Sequence, residues 1–169
     1  LFEAVIDSLQ SSKGQVRIMY YGDSQIEGDR ITSYLRQSLR KGREGTGPGL
    51  FLPLMPVMYS KSLFIRSSSN WKRYNYLSYK NGEIDNNDLG PFMTICRYLL
   101  SGTRSEDPVK ASIRIVPSVF ADSTTAVYNK LRLFYKNTQD VVNIKVSDGV
   151  KPLFQDTLSA GKGIRELAI

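Results

Sequence analysis

The run "VRIMYY", Val16 to Tyr21, constrains this chain more than any other stretch. Apart from Arg17 it is apolar at every position, and it lies between Gly14 and Gly22. An alternating pattern would leave one face to water. A continuous run predicts a strand covered on both faces, as in a parallel sheet. Ahead of it, Leu1, Phe2, Val5, Ile6 and Leu9 recur on one side of a helical wheel, and Gly14 is the expected stop. Behind it, Ile31, Leu35 and Leu39, with Tyr34 beside them, predict a helix from Asp29 to Lys41 with a core-facing stripe. Asp29 suits the dipole at that helix start, and Gly42 is the expected terminator. Helix, strand, turn and helix are the opening of an α/β layered domain.

The pattern then changes. "GREGTGPGLFLP" is too rich in Gly and Pro to be anything but loop. Residues 60–88 are polar and carry no clear period, with an Asn-Gly turn signal at Asn81. From about residue 105 the period is two. Ala111, Ile113 and Ile115 alternate with polar residues, as do Val142, Ile144 and Val146; Leu131, Leu133 and Tyr135 alternate with Arg132 and, imperfectly, with Phe134. Asp148-Gly149 predicts a hairpin before "VKPLFQDTL", with a further strand near Ile169. These strands point to an antiparallel β-sandwich or jelly roll. The expected organisation is an α/β part over residues 1–104 and a β part over 105–169.

Composition excludes several functions. A hydrophobic content of 41% and a charged content of 23% are those of an ordinary folded domain. No apolar run is long enough for a membrane-spanning helix. There is no histidine and one cysteine, Cys96, expected as a buried thiol; this argues against a metal site and a disulfide, and no cofactor is expected. The net charge is +7, with Arg36, Arg40, Lys41 and Arg43 as the densest basic group. Their place at the end of a predicted helix reads as a solvated basic face rather than a nucleic-acid site. The loop at 45–49 lacks the Lys-Ser/Thr ending of a phosphate-binding loop.

Ser24, in "YYGDSQIEGD", follows the predicted strand and precedes the predicted helix. A serine hydroxyl becomes a nucleophile when a base takes its proton and nearby N–H groups face the oxyanion, and sharp strand-to-helix turns provide that setting. On the tripeptide alone, Ser24 better suits a turn residue capping the next helix, and the whole block shifts the reading to a nucleophile. Gly22 is expected to allow the turn, and Asp23 to brace it by accepting backbone N–H groups. Trp71 and Tyr74, with Tyr76 and Tyr79, could stack on sugar rings or form a partly buried aromatic cluster.

The block "YYGDSQIEGDRITSYLRQSLR" resembles the first block of the SGNH, or GDSL-type, hydrolases. More narrowly, it is similar to their bacterial O-acetylesterase branch. Gly22-Asp23-Ser24, Gly28-Asp29, Leu35-Arg36 and the Gly45 to Gly49 loop follow in that branch's order, over roughly residues 16 to 51. The resemblance implies a flavodoxin-like α/β/α fold with an inserted β-sandwich resembling a carbohydrate-binding module. It implies Ser24 as nucleophile, the Ser24 N–H as one oxyanion donor, and a second-block glycine, here Gly90, as another. It implies an O-acetylated carbohydrate or small ester as substrate, and a periplasmic or extracellular location. The family's Asn and Asp-His blocks would follow the β insert, and its His has no counterpart in these 169 residues. The expectation is therefore an N-terminal fragment partnered by the C-terminal half of the same protein. A non-catalytic glycan-binding module and a polysaccharide O-acetyltransferase stay open beside it.

Overall fold

The computed structural model describes residues 2–11, 16, 18–43, 45–57, 59–99, 109–136, 141–161 and 163–169. The chain falls into two compact units, Leu1–Val127 and Tyr128–Ile169. It is a mixed fold of helices and small antiparallel sheets.

The first unit opens with helix α1 (Phe2–Gln10), where the one-sided spacing places it. Gly14, the expected stop, lies outside the described residues. A 3-10 turn, Ser24–Asp29, runs directly into helix α2 (Arg30–Arg40). Residues 45–57 form no regular structure, as their glycines and prolines require. Strands β1 (Leu63–Ser67) and β2 (Trp71–Asn75) follow, then the short helix α3 (Tyr76–Lys80). The turn signalled at Asn81-Gly82 forms and ends α3. The Gly82 N–H donates to Tyr79 O and the Glu83 N–H to Ser78 O, both at 2.9 Å, while Gly82 turns left-handed. Strands β3 (Thr94–Tyr98) and β4 (Ile113–Pro117) and helix α4 (Ser123–Ala126) complete the unit.

Pairing in this unit is nested. β1 pairs with β4, Leu63 facing Pro117 and Ser67 facing Ile113. Inside it, β2 pairs with β3, Trp71 facing Tyr98 and Asn75 facing Thr94. Because β4 returns to β1, it belongs with the first unit. The division therefore falls at Val127/Tyr128 rather than at the expected 104/105, which lies outside the described residues.

The second unit repeats the nesting with strands β5 (Arg132–Tyr135), β6 (Val142–Ser147), β7 (Pro152–Leu158) and β8 (Arg165–Ala168). β6 and β7 form the hairpin predicted at Asp148-Gly149, with the Asp148 carboxylate accepting the N–H groups of Val150 and Lys151. β5 pairs with β8, and the register carries through. From Leu133–Leu167 to Val142–Leu158, both arms advance by equal steps. The two ladders, each a two-stranded sheet, therefore share one register. Val142, Ile144 and Val146 are half-buried while Asn143 and Lys145 are exposed, which is the alternation read from sequence.

Two expectations fail. The run at Val16–Tyr21 is not a buried strand. Its described residues pair with nothing, and Met19 and Tyr21 are 69% and 83% exposed. A strand forms only against a partner, and every pairing among the described residues is antiparallel and lies elsewhere. The stripe on α2 is also not the buried one. Ile31, Tyr34 and Leu35 are exposed, whereas Ser33 is buried and Arg36 and Arg40 are turned inward. Polar groups at the adjoining 60–62 segment select that face, as described below. The apolar core is correspondingly thin. Among the described residues Leu63, Ile84 and Leu158 are the buried apolar residues, accompanied by Ser33, Ser60, Ser62, Thr94 and Thr125.

Candidate functional site

Ser24 opens the 3-10 turn. The Asp23 side chain accepts the Gln25 N–H at 2.8 Å, and the Asp23 carbonyl accepts the Ile26 N–H at 3.2 Å. A carboxylate there satisfies donors that the start of a helical turn leaves open. Arg30 holds the turn from its far side, donating Nη2 to the Ser24 carbonyl at 2.7 Å and Nε to the Glu27 carbonyl at 3.1 Å. Ser24 is exposed, and its hydroxyl makes no hydrogen bond among the described residues. It does not act as the capping side chain of the turn; Asp23 does.

Gly22 does not need a left-handed backbone. A Cβ added to it would sit 3.2 Å from the Ile26 side chain, so close approach is what a glycine relieves.

The end of the turn is anchored. Gly28 and Asp29 are both left-handed, at φ 68° and 61°. The Gly28 carbonyl accepts the Lys61 N–H at 2.7 Å. A Cβ on Gly28 would lie 2.8 Å from the Tyr59 carbonyl oxygen, so only glycine fits. Asp29 is one of the few residue types that tolerates this backbone region. Its carboxylate does not cap α2; it receives Arg36 with two nitrogens, and the hydroxyls of Thr32 and Ser62. Ser62, only 2% exposed, also lies 3.3 Å from Arg36 Nη1. This network was missed in the sequence. Asp29 and Arg36 are seven residues apart, beyond the three- and four-residue spacing at which helix neighbours are paired from sequence, and nothing local marks Ser62.

The basic group is a solvated face only in part: Lys41 and Arg43 are exposed, whereas Arg36 and Arg40 are half-buried. Arg36 pairs with Asp29, Arg40 donates to the Thr46 carbonyl at 3.2 Å, and Arg43 donates to the Leu9 and Leu39 carbonyls. Burial pushes the Arg40 guanidinium below its usual pKa, the neighbouring Arg36 charge adds to this, and Asp122 opposes it. Its Nη1 is buried without a hydrogen-bond partner.

The remaining predicted residues do not gather at Ser24. The Gly90 N–H is committed to the Thr94 carbonyl at 3.3 Å, so it is not free to serve an oxyanion. Trp71 and Tyr74 project to opposite faces of β2, because their positions differ by an odd step. Trp71 packs edge-on against Tyr98 at 5.7 Å, with its indole N–H buried. Tyr74 lies under Lys72 and Arg97, at 4.8 and 5.7 Å. Tyr76 and Tyr79 pack on each other at 5.9 Å. They form separate contacts, not one platform for a sugar. Cys96 is half-buried, and burial raises its thiol pKa. Among the described residues no group of three His, Cys, Asp or Glu side chains is placed to hold a metal ion, and no helix is long and apolar enough to cross a membrane.

No protein-family model, curated protein or solved structure matches this chain.

Proposed function

We propose that residues 16–51 are the nucleophile block of an SGNH-type serine esterase, and that Ser24 attacks a carboxylic ester, most simply an O-acetyl group on an envelope carbohydrate. The observation that carries this reading is the setting of Ser24. Ser24 is exposed and its hydroxyl makes no hydrogen bond among the described residues, on a turn braced by Asp23 and Arg30 that runs straight into α2. The ordered block from Gly22-Asp23-Ser24 to the Gly45–Gly49 loop adds to it. In the reaction, Ser24 Oγ bonds to the ester carbonyl carbon while a base takes its proton. The alcohol then leaves with that proton, and water releases the acid from the acyl-enzyme. These 169 residues hold no histidine, so an imidazole base would come from outside them. On this reading the strands after residue 105 belong to an inserted β-sandwich, the whole protein has a flavodoxin-like core, and it works outside the cytoplasm.

Protein expressed from the whole gene should hydrolyse p-nitrophenyl acetate, and Ser24→Ala should remove that activity. Unchanged turnover in the variant would overturn the proposal. Product analysis with an acceptor sugar present separates hydrolysis from O-acetyl transfer. The absence of histidine favours a second reading, a non-catalytic glycan-binding module, in which neither protein turns over the ester.

A further inference from the structure

A cleft of about 160 Å³ opens between α2, the Lys61–Ser62 segment and the turn after β4. Ser24 does not line it. We propose that this cleft binds a single hexose-sized sugar unit.

Size comes first. Pockets for drug-sized ligands begin near about 300 Å³, so one small ring is the natural occupant.

The chemistry of the lining is mixed in sign and fixed in place. Asp122 accepts the Thr124 N–H, the Thr124 hydroxyl and the Thr125 N–H, all on Oδ1, at 3.0, 2.6 and 3.1 Å. The carboxylate is thereby held rigidly while Oδ2 makes no hydrogen bond among the described residues. Lys61 faces the same cleft, yet the two charges do not close into an ion pair. The Gln37 amide, also on the lining, makes no hydrogen bond of its own among the described residues. Tyr34 and Phe120 stand at the mouth, 65% and 59% exposed, with Phe120 held edge-on by Tyr59 at 6.0 Å.

A sugar hydroxyl both donates and accepts. A ring of hydroxyls can give protons to Asp122 Oδ2 and the Gln37 oxygen while taking them from Lys61 and the Gln37 nitrogen. Its C–H face can lie against an aromatic ring. A free amino acid would match Lys61 and Asp122 by charge but leave Gln37 and both rings unused, so the lining as a whole favours the sugar. The proposal does not depend on Ser24 being a nucleophile.

The test is a titration of the ¹⁵N-labelled chain with methyl glucopyranoside and methyl N-acetylglucosaminide, with glycine as the competing small zwitterion. Saturable millimolar shifts of the Gln37, Lys61 and Asp122 amides are expected with a glycoside. Gln37→Ala, an exposed helix position where alanine is well tolerated, should weaken binding about fivefold, the loss of roughly one neutral hydrogen bond. Ser24→Ala should bind as the parent does, which separates this result from any failure of the esterase reading. Absence of saturable shifts, shifts confined to the Trp71 or Tyr74 region, or a response to glycine alone would each overturn the proposal.

Discussion

Arg36 reaches back seven residues to Asp29 and meets it with both terminal nitrogens, Nη2 on Oδ1 at 2.8 Å and Nη1 on Oδ2 at 3.1 Å. The two side chains are 19% and 15% exposed. With Ser62 on the same carboxylate, the pair joins the end of the Ser24 turn to the segment that leads into β1. Asp29 sits in a left-handed conformation that costs about 1–2 kcal/mol on its own, and these charge-assisted bonds offset it. Arg36→Met should lower the unfolding free energy by about 2–3 kcal/mol, because it strands a mostly buried carboxylate. Arg36→Lys should recover only part of this, since an ammonium cannot make the two-pronged contact. Urea titrations of the three proteins measure both effects. Indistinguishable midpoints would mean that the pair does not hold the turn.

Gly28→Ala combines two penalties at one position. The backbone is left-handed, and the new methyl would meet the Tyr59 carbonyl oxygen at 2.8 Å. The first costs about 1–2 kcal/mol, and backbone cannot move aside as a side-chain tip can. A loss above about 2 kcal/mol is expected, against a change within about 0.5 kcal/mol for Gly42→Ala after allowing for the same left-handed strain, because nothing lies within 4 Å of Gly42. The difference between the two variants isolates the clash, and equal losses would remove it.

Asp122 links stability to acid pH. Burial acts to raise its pKa, but hydrogen bonds from Thr124 and Thr125 override that and hold it at about 2. An unfolded aspartate titrates at about 3.9. The folded state therefore binds fewer protons between those values. The Asp122 contribution is fully present above about pH 4 and is lost as pH falls towards about 2. Asp122→Ala should lose stability at neutral pH and show a flatter fall over that window than the parent. Thermal melts at pH 7, 4 and 2.5, values chosen to span roughly this range, compare the two slopes. Parallel curves would show that Asp122 does not carry the linkage.

What could be read from sequence follows the range of the interaction. The existence of helices α1 and α2 rests on local spacing, and the Asp148-Gly149 hairpin on turn chemistry, so these were legible, whereas the face that α2 buries was not. The strands at Leu63–Ser67 and Trp71–Asn75 were not, because "LFIRS" and "WKRYN" alternate poorly and are defined by partners dozens of residues away. The largest misreading has the same origin. "VRIMYY" has the composition of a strand buried on both faces, but composition does not supply a partner, and here Ile18 to Tyr21 stand exposed. Around Ser24 the bracing by Asp23 was visible in the motif. The anchor at Ser62 was not, because a buried serine hydroxyl leaves no pattern in the residues beside it.

The roles of Ser24 and Asp23 can be separated by stability alone. A serine that capped the turn would cost about 1 kcal/mol when truncated. Ser24 makes no side-chain bond among the described residues, whereas Asp23 accepts the Gln25 N–H at 2.8 Å. Ser24→Ala should therefore leave the unfolding free energy unchanged within about 0.5 kcal/mol, and Asp23→Ala should lower it by about 1 kcal/mol. Chemical denaturation of the 169-residue chain is sufficient, since no catalysis is being read. The reverse order of losses would return Ser24 to the role of a capping residue and remove the structural support for its use as a nucleophile.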